Sequence, residues 1–229
     1  MAGSADLRLP EHLREAVYDH IRVLREGLGK RQWGGRVGFG ERPAVIAIDL
    51  ARGWTDPGFL LGAELDSIVG HTRRVLDVAR EAGIPIFFTV VAYDPDDPPG
   101  VWDAKKPGNR RTLVAGSPAT ELDTRLARRP SEKLIVKKYQ SAFAGTDLHE
   151  MLVGLRVDTL IVTGCSTSHC VHATCLDASR SFRVIVPEEA VGERCELFHL
   201  MSLLDIDMTL GDVLPVDAVL AHLKRAASS

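Results

Sequence analysis

The chain has 229 residues, of which 45% are hydrophobic, and its formal net charge is −3. This length and composition predict a globular protein with one sizeable core. Acidic and basic residues are mixed along the chain without a long basic block, so neither a nucleic-acid nor an anionic-membrane partner is expected. No stretch approaches the roughly 18 apolar residues that a membrane span needs.

The cysteine content and the N-terminal residues indicate a cellular compartment. The chain begins without the apolar run of a signal peptide. Its four cysteines are too few for a disulfide scaffold in a chain of this length. We therefore expect a soluble, cytoplasmic protein whose thiols are reduced.

The first 42 residues differ in pattern from the rest of the chain. Apolar side chains at helical spacing predict an amphipathic helix over residues 11–28. A glycine-rich segment at residues 34–40 follows, and it precedes a strand without the Lys-Ser/Thr ending of a phosphate loop. We interpret residues 1–42 as an arm that packs on the body or on a neighbouring subunit, and residues 43–229 as one domain.

Within this domain, apolar runs alternate with amphipathic stretches. In chain order the predicted elements are a strand at 44–50, a helix at 65–82, a strand at 85–91, irregular chain from 94 to 116, a helix at 118–126, a strand at 134–137, a helix at 147–155, a strand at 159–163, a helix at 170–181, a strand at 183–187, a helix at 195–204, a strand at 207–209 and a helix at 215–226. This alternation predicts an α/β protein with three layers, α/β/α, around a mostly parallel, doubly wound, six-stranded sheet. The strands are rich in Val and Ile, which is typical of strands covered on both faces.

Three reactive side chains follow predicted strands. Asp49 comes after the first strand, Lys137 ends the third, and Cys170 lies where small residues lead from the fourth strand into a helix. Ligands bind outside the carboxyl ends of the strands in open parallel sheets, so these groups are expected to converge. A thiol at a helix N-terminus is expected to favour the reactive thiolate. An acid, an amine and a thiol together indicate a cysteine hydrolase, although Lys138 competes with Lys137 on composition alone.

Each of these residues also has a simpler interpretation. A lone Cys170 is typical of a small buried hydrophobe, Asp49 of a turn or helix cap, and Lys137 of a surface lysine. Cys170, His172 and Cys175 resemble a zinc set, but helix positions two apart do not share a face and a fourth ligand is missing. We therefore expect no metal and no cofactor.

Three motifs, in order, resemble those of the isochorismatase-like cysteine hydrolases. They are PAVIAID at residues 43–49, KKYQSAFAGTDL at 137–148 and GCSTSHCV at 164–171. The resemblance covers about residues 34–226. Shorter matches resemble the N-carbamoylsarcosine amidohydrolase and maleamate amidohydrolase branch: GFG at 38–40, GWT at 53–55, EAVGER at 189–194, DID at 205–207 and GDV at 211–213.

The resemblance implies a catalytic triad of Asp49, Lys137 and Cys170, since the family motif selects Lys137 over Lys138. Cys170 would attack an amide carbonyl, Asp49 would accept the thiol proton, ammonia would leave, and water would hydrolyse the thioester. The backbone N–H groups of Ser166 and Cys170 would form the oxyanion hole. A cis peptide is implied between Cys165 and Ser166.

The resemblance also suggests substrate contacts. Arg194 matches an arginine that holds a substrate carboxylate, and guanidinium suits that two-pronged pairing. Trp54, Tyr139, Thr167 and His169 are the other predicted substrate-binding residues. The branch has Gly before its nucleophile, whereas this chain has the bulkier His169.

Two activities of the superfamily are not expected. The metal motif of nicotinamidases is absent from the region around Asp94. Isochorismate hydrolysis is not expected either, because those enzymes dispense with the cysteine.

These features predict a cysteine amidohydrolase that cuts a linear amide or ureido bond in a small carboxylated substrate, N-carbamoylsarcosine-like or maleamate-like, and releases ammonia. One alternative is a hydrolase of a cyclic amide in a larger molecule, such as an antibiotic lactam, which extra space near His169 and Phe198 would favour. Another is a non-catalytic protein that binds small molecules on the same fold. We also expect a homo-oligomer, a dimer or a tetramer.

Overall fold

The structure is a computed structural model that describes residues 7–226. The start of the predicted arm, residues 1–6, and the end of the predicted domain, residues 227–229, lie outside the described residues. In chain order its main elements are α1 (Glu11–Gly29), β1 (Pro43–Ile48), α2 (Arg52–Thr55), α3 (Asp66–Glu81), β2 (Ile86–Val91), α4 (Val101–Lys105), α5 (Pro107–Thr112), β3 (Lys133–Lys137), α6 (Leu148–Gly154), β4 (Thr159–Cys165), α7 (His172–Ala178), β5 (Arg183–Pro187), β6 (Val191–Gly192), α8 (Glu196–Asp205), β7 (Asp212–Leu214) and α9 (Val216–Ala226).

Six strands form a continuous sheet in the order β3-β2-β1-β4-β5-β7, and the two-residue β6 pairs with the end of β4. Every strand pair of this sheet is parallel. The central strands β1, β2 and β4 are buried along their whole length. The predicted α/β class and the mostly parallel, six-stranded sheet are therefore confirmed, with β6 as a short addition.

Alternate side chains of β1 face two separate apolar cores. Val45 and Ala47 pack with buried residues of α3 and α9 on one face of the sheet. Ala44, Ile46 and Ile48 pack with buried residues of α6, α7 and α8 on the other. This alternation follows from the two-residue period of a strand and produces the three layers that the sequence predicts.

The sheet order places a crevice between the ends of β1 and β4. The chain passes from β1 to β2 and β3 on one side, and then crosses over to β4 on the other. Ile48 of β1 pairs with Gly164 of β4, where a Cβ atom would lie 2.1 Å from the Ile48 carbonyl oxygen. Glycine therefore permits this close approach, and the residues that follow both strands meet at the point where the topology reverses.

Three local predictions are wrong. Residues 94–116 contain the helices α4 and α5 instead of irregular chain throughout, and residues 118–126 form two short 3-10 turns instead of one helix. The strand predicted at 207–209 is a π-helical turn, Ile206–Leu210, and the last strand is β7. Ile206, Asp207 and Met208 are consecutive and are all buried, so one face of this segment is not exposed in alternation as in a half-buried strand. The turn continues α8, and a carboxylate oxygen of Asp207 accepts the backbone N–H of Val213.

The helix α1 lies against α8 and the turn after it. Arg14 pairs with Glu196 at 3.1 Å, and Arg25 pairs with the buried Asp207. None of the residues of α1 is fully buried. The division of the chain at residue 42 stays a prediction. Among residues 7–226, no helix is both long and apolar enough to cross a membrane.

Candidate active site

Asp49 directly follows β1 and is held by contacts from two neighbouring strands. Its backbone adopts a left-handed conformation, with φ of 50°, which aspartate tolerates better than most residues. The carboxylate oxygen Oδ1 accepts a hydrogen bond from the Thr89 hydroxyl at 2.6 Å, and Oδ2 lies 2.7 Å from Lys137 Nζ. Both oxygens are therefore held in place, on a side chain that is only 1% exposed.

The two adjacent lysines at the end of β3 have opposite environments. The Lys137 side chain is fully buried, and besides Asp49 it donates to the backbone carbonyls of Tyr139 and Gln140 at 3.0 and 3.1 Å. Lys138 is half exposed and pairs with Asp97 at the surface. Strand alternation sends neighbouring side chains to opposite sides, so the structure brings Lys137, and not Lys138, to Asp49.

Cys170 lies in a π-helical turn, Thr167–Val171, that joins β4 to α7. Its thiol is within hydrogen-bonding reach of both Asp49 and Lys137. Burial raises the pKa of the Cys170 thiol to about 12, against the opposing effect of the Lys137 charge. Desolvation therefore opposes the thiolate that the helix terminus is expected to favour.

The peptide bond between Cys165 and Ser166 is cis, as the resemblance implied. This bond joins the end of β4 to the turn that carries Cys170. Ser166 is buried but reaches the surface of a cavity above the thiol. The residues predicted to form the oxyanion hole, Ser166 and Cys170, thus share one turn next to Asp49.

The cavity has a volume of about 460 Å³, and most of the predicted site residues form its wall. These are Asp49, Trp54, Tyr139, Ser166, His169, Cys170 and Arg194. Phe198 and Trp102 add apolar surface. A cavity of this volume lies within the range of small-molecule sites.

Arg194 and Trp54 form one corner of the cavity. The guanidinium carbon lies 5.1 Å from the centre of a Trp54 ring, and one guanidinium nitrogen lies 3.5 Å from Ser166 Oγ. The Trp54 indole N–H is buried and has no acceptor among residues 7–226. This corner therefore presents a guanidinium at the cavity wall, and that cation suits an anionic group of a ligand.

Thr167 is placed differently from the other predicted contacts. It is fully buried, it does not line the cavity, and its hydroxyl lies 2.9 Å from His199 Nδ1. The structure thus gives Thr167 a supporting position beneath the cavity, because the turn directs its side chain toward α8 and away from the ligand space.

Sequence reasoning missed several residues of the site. Thr89, which orients Asp49, is the single hydroxyl residue in the otherwise apolar strand β2, and that break in the pattern is a usable signal. Lys106 lines the cavity, with its ammonium 4.9 Å from the Trp102 ring. It was missed because its segment carries no strong periodicity.

Glu193 is a third unpredicted residue, and its carboxylate is only 2% exposed. Burial alone would raise the pKa of Glu193, but hydrogen bonds from His169, Ser168 and the Arg194 backbone lower it from 4.5 to about 2. It accepts the Ser168 hydroxyl at 2.6 Å. The wall of the cavity therefore includes an ionised carboxylate.

Within residues 7–226 no group of three or more His, Cys, Asp or Glu side chains is arranged to hold a metal ion. The three residues of the hypothetical zinc set are separated: Cys170 faces Asp49, His172 pairs with Asp205 at 2.6 Å, and Cys175 is buried in the core.

Glu193 predicts a pH dependence of stability. Its pKa is lower in the folded protein than in the unfolded chain, so its contribution is complete above pH 4.5 and is lost as the pH falls toward 2. The shift corresponds to about 3 kcal/mol. We expect Glu193→Gln to lower the free energy of unfolding at pH 7 by about that amount. The variant is also expected to lose less of that free energy than wild type as the pH falls from 4.5 to 2, as measured by urea titration from pH 7 to pH 2. The exposed neighbour Glu188 provides the control, and an equal change in Glu188→Gln would contradict the prediction.

The fold and the site define a class of protein. A family model described as the isochorismatase domain matches residues 43–218, and the chain belongs to this family. It is 38% identical over 226 residues to an N-carbamoylsarcosine amidase of Arthrobacter, covering 95% of this chain and 83% of that protein. It is 36% identical over 199 residues to a maleamate amidohydrolase of Pseudomonas putida, covering 85% of this chain and 93% of that protein.

A solved structure shows the same fold. A cysteine hydrolase from Pseudomonas syringae pv. phaseolicola superposes with a TM-score of 0.79 and 24% identity, covering 83% of this chain and 97% of that one. The family and branch that the motifs resemble are thus confirmed. The chain is an enzyme of this family, a hydrolase of carbon–nitrogen bonds other than peptide bonds.

Proposed function

We propose that the protein is a cysteine amidohydrolase that cuts a linear amide or ureido bond of a small carboxylated substrate through a thioester on Cys170 and releases ammonia. One observation carries this proposal. A buried Asp49–Lys137 ion pair contacts the thiol of Cys170 at the wall of a cavity that also holds Arg194.

The neutral thiol requires a base at the moment of attack. In the proposed first step, the Cys170 proton passes to Asp49 while the sulfur bonds to the amide carbonyl carbon. The N–H groups of Ser166 and Cys170 would stabilise the oxyanion. As the carbon–nitrogen bond breaks, Asp49 returns the proton to the leaving nitrogen, and ammonia departs. Water then cleaves the thioester and restores the thiol.

Lys137 serves this step as a fixed positive charge. Burial lowers its pKa, but the negative charge of Asp49 and the contact with Cys170 outweigh that effect and raise the pKa of Lys137 above its ordinary value. The ammonium therefore stays charged and stabilises the negative charge that moves between the carboxylate and the sulfur.

Positively charged side chains on the cavity wall favour the binding of an anionic substrate. Arg194 is positioned by Trp54, and Lys106 adds a second positive charge. The names of the two curated relatives describe amides of small acids, so N-carbamoylsarcosine and maleamate are the first substrates to test.

The experiment is an ammonia-release assay on these two amides, on nicotinamide and on several carbamoyl amino acids. Activity on a carboxylated amide is the expected result. The competing hypothesis of a non-catalytic binding protein predicts saturable binding without ammonia release, and that outcome would contradict the proposal.

Arg194→Met is expected to lower kcat/KM for a carboxylated amide by about 10- to 100-fold, because a hydrogen bond between charged groups contributes about 1.5–3 kcal/mol. The matched comparison uses the methyl ester of the same substrate, for which wild type and variant are expected to differ little. Equal losses on acid and ester would assign Arg194 a structural role instead.

The size and apolar wall of the cavity favour a second candidate. A volume of about 460 Å³ beside His169 and Phe198 leaves space for a substrate larger than a carbamoyl amino acid. A cyclic amide within a larger molecule, such as an antibiotic lactam, fits this space. Ring opening releases no ammonia, so mass spectrometry of the products tests it.

Three broader expectations accompany the proposal. The protein is proposed to be cytoplasmic, since four free cysteines suit a reducing compartment. It is proposed to be a homo-oligomer, a dimer or a tetramer, with residues 1–42 as an arm that contributes to assembly. Exposed apolar residues on α1 and α8, among them Val23 and Phe198, support that view.

A further inference from the structure

A histidine directly before the nucleophile is linked to a buried carboxylate. His169 lines the cavity, and its Nδ1 lies 2.7 Å from Ser168 Oγ. The Ser168 hydroxyl donates to Glu193 Oε2 at 2.6 Å, and the Ser168 backbone N–H donates to the same oxygen at 3.2 Å. Residues of the β4–α7 turn and of the segment after β6 thus form a continuous chain from imidazole to carboxylate.

The direction of these hydrogen bonds follows from their chemistry. Glu193 is ionised and can only accept, so the Ser168 hydroxyl donates to it. The oxygen of Ser168 is then free to accept from His169, which assigns the imidazole proton to Nδ1. In the neutral imidazole the other ring nitrogen, Nε2, then carries the lone pair and can accept a proton.

In the second half of the reaction the base must act on a water molecule instead of on the thiol. Asp49 contacts Thr89 at 2.6 Å through Oδ1, Lys137 at 2.7 Å through Oδ2, and the Cys170 thiol, so it is placed for the first half. Once an acyl group occupies Cys170, the hydrolytic water must approach from the cavity. His169 is on that wall, next to the sulfur in sequence.

We propose that His169 is the general base that activates the hydrolytic water for cleavage of the thioester, with Ser168 and Glu193 as positioning residues. This inference rests on the proposed thioester mechanism. The water oxygen bonds to the thioester carbonyl carbon as one water proton passes to His169 Nε2. The carbon–sulfur bond then breaks, the acid product leaves, and the proton returns from His169 to the sulfur of Cys170.

The test follows the acyl-enzyme directly and needs no knowledge of the natural substrate. The full-length protein is acylated with p-nitrophenyl acetate, and intact-protein mass spectrometry after rapid mixing records the formation and loss of the acetyl group. In His169→Gln, formation is expected to stay within about threefold of wild type. Hydrolysis is expected to slow by about 100-fold or more, the range of general base catalysis.

A second variant and a matched control separate chemistry from packing. In His169→Ala, added imidazole is expected to restore hydrolysis in proportion to its concentration. His172→Gln alters the other histidine beside Cys170, which pairs with Asp205 instead of lining the cavity, and it is expected to hydrolyse the acyl-enzyme at the wild-type rate.

The outcomes distinguish this inference from the proposed function. Hydrolysis at the wild-type rate in His169→Gln, or slow hydrolysis in His169→Ala that imidazole does not restore, would overturn the role of His169 alone. Failure of the wild-type protein to become acylated on Cys170 would overturn the thioester mechanism itself, and with it this inference.

Discussion

Cys170→Ala is expected to lower the rate of ammonia release by about 10⁴-fold or more, because removal of a nucleophile eliminates the covalent route. The side chain shrinks by one sulfur atom in a position that borders the cavity, so the fold is expected to persist. The assay compares wild type and variant on the best amide of the substrate panel, with circular dichroism and thermal unfolding to verify folding.

Cys175→Ala is the matched control for this prediction. Cys175 is one helical turn away, fully buried in the core behind the sheet, and burial raises the pKa of its thiol. Its removal is expected to cost stability but to leave the rate within about twofold, since the thiol cannot reach the cavity. Ammonia release that survives in Cys170→Ala, or disappears in Cys175→Ala, would contradict the assignment.

Lys137→Met is expected to abolish activity and to lower the free energy of unfolding by about 3–5 kcal/mol, the cost of leaving one partner of a buried ion pair uncompensated. Both side chains are at most 1% exposed, so Asp49 would be left with a buried charge and only neutral partners, the hydroxyl of Thr89 and the thiol of Cys170. Urea titration at pH 7 measures the stability, and the ammonia assay measures the rate.

The adjacent lysine and a double variant sharpen this test. Lys138→Met removes an exposed ion pair with Asp97, so its effect on stability is expected to be below about 1 kcal/mol. The double variant Asp49→Asn with Lys137→Met removes both charges, and it is expected to recover stability without recovering activity. Equal stability losses in Lys137→Met and Lys138→Met would show that the buried pair is not the source of the effect.

The sequence predicted correctly those elements whose formation depends on neighbouring residues in the chain. Strands β1, β2 and β4 were predictable because each is a short apolar run, and their alternation with helices implies a parallel sheet. Helices α4 and α5 were not, because their segments are short and rich in Pro, Gly and charged residues. The strand predicted at 207–209 was wrong because the segment continues α8 as a turn in which the polar Asp207 is buried together with Ile206 and Met208.

By itself, the sequence determined the parallel α/β fold, the family and the candidate residues Asp49, Lys137 and Cys170, since apolar runs and strand-end motifs are local properties of the chain. Composition alone left Lys137 and Lys138 equal and the family motif selected Lys137, but only the tertiary structure shows the physical difference, by burying one and exposing the other. Tertiary packing also raises the pKa of the Cys170 thiol and links Glu193 to His169. Both depend on desolvation and on contacts between distant segments, which no local pattern encodes.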